Sequence, residues 1–382
     1  MTMKRPLLTS SLVAAVIVSA SCSHASKGGD FATQTVVIQA DTIAQGLENP
    51  WGLDFLPDGA AVVTEKPGRM RIFADGALSD PVDGVPEVSA RGQGGLLDVV
   101  AHPRFAQNNL LFFSYAQPGD GGAGTAVARA RLVRDGATAR LEDVETIFSM
   151  ARKTSAGQHF GSRLVFHPDG TLFITTGDRG DGKRSQDPQD HAGSVLRIND
   201  DGSIPAGNAF PDGQGGLPEI WSTGHRNPQG AIFDPVTNAL LINEHGAKGG
   251  DELNAPESGA NYGWPVISYG VNYSGTRIGI GTTAEGYEQP LHYWDPSIAP
   301  SGLASYQGEM FPEWKGDLLV GSLKFSLLSR LDRDQNAAIV GEERMFEGEF
   351  GRIRDVNVAP DGAVWLLTDE NPGAIVRLSR AD

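Results

Sequence analysis

Four stretches of the chain concentrate side chains able to do chemistry. Gly157-Gln158-His159-Phe160-Gly161-Ser162-Arg163-Leu164 sets a histidine just before an apolar, strand-like run. An imidazole with a reference pKa of about 6.5 suits proton abstraction near neutrality; the ordinary alternative is a hydrogen-bonded structural histidine. Gly224-His225-Arg226-Asn227-Pro228-Gln229-Gly230 crowds large polar groups between two glycines and a proline. Loops of this composition often only turn the chain, but the density of polar side chains suits a ligand. The third stretch runs from Asn243-Glu244-His245-Gly246-Ala247-Lys248-Gly249-Gly250-Asp251-Glu252 to Asn261-Tyr262-Gly263-Trp264-Pro265. It is rich in glycine and carboxylates. A hard cation such as Ca²⁺ takes oxygen ligands, backbone carbonyls included, and a glycine-rich loop can aim them. The alternating acids of an EF-hand are absent, and so are the spaced cysteines or paired histidines of a zinc site; an acidic surface loop is the plain alternative.

The fourth stretch is C-terminal. Lys324 lies in Gly321-Ser322-Leu323-Lys324-Phe325, and Arg352 and Arg354 alternate in Gly351-Arg352-Ile353-Arg354-Asp355. On a strand, residues i and i+2 share a face. Two guanidinium groups on one face repel unless an anion lies between them, and a carboxylate-rich ligand would answer that. Exposed ion pairs with Glu347 or Glu349 are the alternative.

All of these stretches flank apolar runs that recur along the chain. Phe55-Leu56-Pro57-Asp58-Gly59, Phe166-His167-Pro168-Asp169-Gly170 and Ala359-Pro360-Asp361-Gly362 each precede alternating apolar residues. Looser copies stand at His102-Pro103, Asp234-Pro235 and Phe311-Pro312. Proline presets φ for a turn and Asp-Gly completes it, so each copy reads as a turn between two strands. The spacing, roughly 45 to 75 residues, fits propeller blades with variable loops. A solenoid needs a shorter, stricter period, and a sandwich would not repeat one signature six times. The pattern predicts an all-β, six-bladed β-propeller with four-stranded blades, a single domain over residues 35–382. Loops at one end of such a ring converge on the central channel.

Composition narrows the function. The net charge of −16 over 382 residues gives no field to attract phosphates, so nucleic acid is not an expected partner. Lys4 and Arg5, the apolar run Leu7–Ala20 and the small residues up to Ala25 read as an export signal over residues 1–25, too short to span a membrane comfortably. Cleavage could follow Ala20 or Ala25, or Cys22, the only cysteine, could carry a lipid anchor. An exported, periplasmic protein is expected, soluble or tethered as a lipoprotein.

Taken in order, these motifs resemble the soluble pyrroloquinoline quinone (PQQ) glucose dehydrogenases and, more closely, the aldose sugar dehydrogenases of that superfamily. The likeness runs from Leu47-Glu48-Asn49-Pro50-Trp51-Gly52 to Thr368-Asp369. It implies that His159 is the catalytic base, with Arg226 and Asn227 beside the quinone carbonyls. It implies that Gln93 lies near the quinone and that Lys324, Arg352 and Arg354 hold its carboxylates and oxygens, with Asp369 a further site residue. The carbonyls of Gly246 and Ala247 would ligate a catalytic Ca²⁺, and Glu252 with the Tyr262 carbonyl a structural one. The implied reaction is oxidation of an aldose at C1 to the lactone, with electrons passed to an external acceptor because no haem or cysteine cluster is present.

Two departures stand out. Gln158 precedes the histidine where an Asp is familiar, and Ala247 replaces a Pro. Glucose preference and dimerisation are not carried over, and a monomer is expected. A propeller lactonase or other hydrolase, and a non-catalytic binding propeller, are the rival readings; neither needs the cations Lys324, Arg352 and Arg354.

Overall fold

The structure is a computed structural model and describes residues 26–136 and 138–381. The expected export signal, Cys22 included, lies outside the described residues. No helix among them is long and apolar enough to cross a membrane.

The chain forms six sheets arranged as blades. Blade 1 consists of Pro50–Phe55, Ala61–Glu65, Arg69–Ala74 and Ala77–Leu78. Blade 2 consists of Leu96–Ala101, Leu110–Gly119, Gly122–Asp135 and Thr138–Ser149. Blade 3 consists of Leu164–Phe166, Leu172–Thr175, Val195–Ile198 and Ile220–Ser222. Blade 4 consists of Pro228–Asp234, Ala239–Glu244, Asp251–Asn254 and His292–Trp294. Blade 5 consists of Pro300–Ser305, Leu318–Ser322, Leu328–Arg333 and Ile339–Met345. Blade 6 takes Ile353–Val358, Val364–Thr368 and Gly373–Arg380 from the C-terminus and adds Val37–Leu47 from near the N-terminus. That pairing, Ile38 with Arg380 through Leu47 with Gly373, closes the ring. A fifth strand, Ser26–Ala32, pairs outside it, so the paired strands begin before residue 35 and the closing blade is wider than the other five.

Each of the six Pro turns joins the first strand of its blade to the second. The turn residues behave as their types require. Gly59, Gly170 and Gly362 take φ of +88°, +93° and +85°, a region open to glycine at no steric cost. The first strands of neighbouring blades pack side by side around the whole ring.

Each blade is sandwiched between two others, so its strands are apolar on both faces. Ala61–Glu65 and Leu172–Thr175 are buried at every residue. One apolar cluster fills each blade interface, such as Leu56, Val62, Met70, Leu111 and Phe113 between blades 1 and 2. Burying a side chain of this size stabilises by about 1.5–3 kcal/mol. The centre of the ring is different, because six strand edges converge there and leave main-chain groups to satisfy. Arg163, at the entry to blade 3, fills this position. Its guanidinium pairs with Asp98 of blade 2 at 2.9 Å and Asp355 of blade 6 at 2.7 Å. It also donates to the carbonyl of Gln229 in blade 4 at 2.7 Å. The carboxylates in turn accept main-chain N–H groups, Asp98 from Leu164 and Asp355 from Leu53.

Removing one partner of a buried ion network leaves uncompensated charge, at a cost of about 3–5 kcal/mol. Arg163→Met is therefore expected to lower unfolding stability by about that much, read as a shifted urea midpoint. Adding Asp98→Asn and Asp355→Asn to it should recover part of the loss. A midpoint unchanged by Arg163→Met would remove this hub from the account.

Candidate active site

Because each first strand runs towards its Pro turn, the residues entering first strands and those leaving second strands gather at the opposite end of the ring. A cavity of about 490 Å³ lies there. Five cations line it, Lys66, Lys248, Lys324, Arg352 and Arg354, against one carboxylate, Asp369. The protein as a whole carries −16, so this concentration is local and built.

Arg352 and Arg354 do share the cavity, as alternation predicts, and the anion between them is in part the chain's own. Asp369 Oδ2 accepts from Arg354 Nη2 at 2.6 Å and from Arg352 Nη2 at 3.4 Å. Neither arginine pairs with Glu347 or Glu349 among the described residues. Burial opposes ionisation of Asp369, but Arg354, Lys66 and Arg352 together outweigh it and hold the carboxyl down at about 2. Arg354 also donates to Gln229 Oε1 at 2.8 Å, and its Nε is buried without a partner among the described residues. Lys324 is exposed to the cavity, its ammonium 4.8 Å from the Phe325 ring centroid. Trp51 lies at the cavity floor between two guanidinium groups, 4.3 Å from Arg163 and 5.7 Å from Arg354 to its ring centroid.

His159 stands beside the cavity, tied to it through Gln93. Its N–H donates to Gln93 Oε1 at 2.7 Å, and Gln93 lines the cavity. Its Nδ1 lies 2.6 Å from Asp178 Oδ1, and Trp264 Nε1 donates to the other oxygen at 2.8 Å. With Nδ1–H donating to the carboxylate, Nε2 is the ring's free acceptor. Burial is the chief cause holding the imidazole below its ordinary range; Arg226 and Arg179 push the same way, and Asp178 pulls against them. Asp178 itself stays low, its burial outweighed chiefly by the bond to His159.

Arg226 is fixed by its own main chain. Its N–H donates to Glu244 Oε2 at 2.6 Å and its Nη1 to the His245 carbonyl at 3.1 Å. Its Nε is buried and has no partner among the described residues. Asn227 uses Oδ1 to accept the Gly161 N–H at 3.1 Å, which holds the His159 loop.

The cation expectations rest on carbonyl oxygens. Among the described residues none donates a hydrogen bond to the carbonyls of Gly246, Ala247 or Tyr262. Gly246 and Ala247 line the main cavity, and Glu252 and Tyr262 line a small adjoining one with Arg226. Beside Glu252, Asn254 Oδ1 is buried without a partner. Burial, then Glu244 and Asp251, push Glu252 up to about 8. Free carbonyls and uncompensated carboxylates suit a hard cation. No three His, Cys, Asp or Glu side chains among the described residues converge as a metal group, so main-chain oxygens would have to supply much of any ligand set.

Sequence reading missed Asp178, Lys66 and Trp51. A signal existed for the first two. Asp178 and Lys66 lie within three residues of the ends of their second strands, the region that Gly246, Lys324 and Asp369 occupy in other blades.

With that geometry in place, comparison with known proteins assigns the class. The family model described as glucose/sorbosone dehydrogenase matches residues 47–377. The chain belongs to this family and is an oxidoreductase. Among relatives, it is 42% identical to the aldose sugar dehydrogenase YliI of Escherichia coli over 349 residues, 90% of this chain and 93% of that one. The crystal structure of the soluble aldose sugar dehydrogenase from Escherichia coli in its apo-form superposes with a TM-score of 0.86, at 42% identity, covering 90% of this chain and 100% of that one. The PQQ-bound form of the aldose sugar dehydrogenase from Streptomyces coelicolor gives a TM-score of 0.73 at 28% identity, covering 91% and 99%.

His159 is expected to be neutral at pH 7, titrating below the ordinary histidine range. Asp178→Asn removes the upward pull, so the His159 midpoint should move to still lower pH. An NMR titration of the imidazole checks this; a move to higher pH would contradict the arrangement described.

Proposed function

We propose that this chain catalyses the PQQ- and calcium-dependent oxidation of aldose sugars at C1 to the lactone, passing electrons to an external acceptor. The observation that carries the reading is the meeting of two features at one end of the ring. One is a cavity with five cations against one carboxylate. The other is a carboxylate-oriented imidazole at its edge. The buried donors Arg226 Nε and Arg354 Nε, unpartnered among the described residues, fit a ligand bearing several carboxylate or carbonyl oxygens.

When bound, PQQ would supply the two-electron acceptor and Ca²⁺ the Lewis acid that polarises it. Lys324, Arg352 and Arg354 would hold the cofactor's anionic groups, with Lys66 adding a further charge. The carbonyls of Gly246 and Ala247 would hold the metal. Arg226 and Gln93 would place donors against the quinone oxygens, and Asn227 would act by fixing the loop of His159. Nε2 of His159 would accept the proton of the C1 hydroxyl, and Asp178 would stabilise the imidazolium that results. Export of the protein, with Cys22 as a possible anchor point, is part of the same proposal; Lys4, Arg5 and the apolar run after them support it.

The test is dye-linked aldose oxidation by apo-protein, with PQQ and Ca²⁺ added singly and together. Turnover only with both is the expected result. If PQQ fails to bind with Ca²⁺ present, the reading falls, and hydrolysis of a lactone without cofactor would put a hydrolase in its place. Lys324→Gln and Arg352→Gln should each weaken PQQ binding about ten-fold or more, since a charged hydrogen bond contributes about 1.5–3 kcal/mol. Spectroscopic titration reads that loss without relying on turnover.

A further inference from the structure

Arg179 is a buried arginine whose neighbouring carboxylate, Asp178, is engaged by His159 and Trp264 instead. Its side chain and main chain together are 2% exposed, and among the described residues it forms no ion pair. Its Nε is buried without a partner among the described residues. A desolvated charge without a paired counter-ion is costly; burial, helped by Arg184 and opposed by Asp178, pushes the guanidinium down to about 10. It still carries its proton at neutrality. Its own backbone lies at φ +57°, a region unfavourable to any residue with a Cβ.

Arg179 holds chiefly one segment, with one longer bond from Nη2 to the Ala123 carbonyl of blade 2 at 3.5 Å. Nη1 donates to the carbonyl of Gln158 and Nη2 to that of Ala156 at 2.5 Å. The guanidinium carbon lies 3.4 Å from the centroid of the Phe160 ring. These contacts bracket His159, which itself stands at φ +54°. The surroundings close the same loop from the other side. A Cβ on Gly177 would lie 2.3 Å from the His159 carbonyl oxygen, so only glycine permits that approach. Lysine could not reproduce the contact, because one ammonium cannot both stack on a ring and fork to two carbonyls.

We propose that Arg179 is a positioning residue for His159, its guanidinium clamping the carbonyls on either side of Gly157 and the ring of Phe160 so that the histidine keeps the backbone conformation that turns its imidazole onto Asp178. The inference rests on the reading of His159 as the base, and the experiment separates the two. The Nδ1–H proton of His159, bonded to Asp178 across 2.6 Å, is expected as a downfield NMR resonance in the apo-protein, assigned by its loss in Asp178→Asn.

Arg179→Met keeps the stem that packs on Phe160 and removes every donor. The expected result is loss of the downfield resonance although His159 and Asp178 are intact, and a fall of at least ten-fold in kcat/KM for an aldose at matched PQQ occupancy. Arg179→Lys should restore only part of either signal. Arg179→Gln, which retains a donor, stands in if the methionine variant does not fold. A variant with a lower melting temperature but an unchanged resonance would show a merely structural role and overturn the proposal, as would an unchanged kcat/KM in a loaded enzyme. If the resonance vanishes in a protein that never takes up PQQ, Arg179 still positions His159 and the dehydrogenase reading is what fails.

Discussion

The centre of a propeller cannot be filled as a sandwich core is. First strands converge there edge-on, each with main-chain donors and acceptors that must be met. In this protein Arg163 meets them, spanning blade 3 to Asp98 of blade 2, Asp355 of blade 6 and the Gln229 carbonyl of blade 4. Burial pushes Asp98 up to about 6 even with Arg163 beside it. The same guanidinium donates to the Arg354 carbonyl at 3.2 Å and lies against Trp51. The hub that closes the ring therefore also fixes the cavity floor. Arg354 presents its side chain to Asp369 from a main chain that Arg163 holds.

Fold and site have opposite relations to the sequence. The six Pro turns were legible because each is local: proline, aspartate and glycine within five residues dictate a turn wherever they stand. All six fall between first and second strands, which made the blade count readable. The outer strand Ser26–Ala32 carries no such mark. Its pairing with Val37–Leu47 is a main-chain interaction at a sheet edge, to which side-chain pattern contributes little. At the site, residues with unusual local company were visible, such as the alternating Arg352 and Arg354 or the polar loop around Arg226. Asp178 was not, because its meaning comes from a partner 19 residues away across two strands and the turn between them. Asp369 was visible only through resemblance, and its placement between two arginines needed the fold. Lys66 shares the blade position of Asp369, one residue beyond the second strand, so the repeat, once phased, points to it.

Electrostatics gives the cavity its character. A chain at −16 gathers five cations around about 490 Å³ and offers them one internal carboxylate. Asp369 relieves part of the repulsion between Arg352 and Arg354, which lets both arginines stay in place without any other anion. The remaining positive potential is what a polyanionic ligand would meet. On the neighbouring side the character changes, with Glu244, Asp251 and Glu252 crowded together near Arg226 and with carbonyl oxygens accepting nothing from the described residues. Unbonded carbonyl oxygens beside a cationic cavity suit a hard cation held next to an anionic organic group.

The backbone shows where this arrangement is costly. His159, Ser162 and Arg179 all take positive φ, at +54°, +93° and +57°. Each such residue costs on the order of 1–3 kcal/mol and persists only when its surroundings over-determine it. Here the surroundings do so: Gln93 and Asn227 bond the loop from two blades, and Gly177 admits its carbonyl. The strain sits where the blade 3 entry meets the end of that blade's second strand, which is where the imidazole and its carboxylate must be brought together. An ordinary extended path through His159 would carry the ring away from Asp178. The rigid ring of blades supplies the stability that allows one loop to be held in a conformation it would not adopt alone.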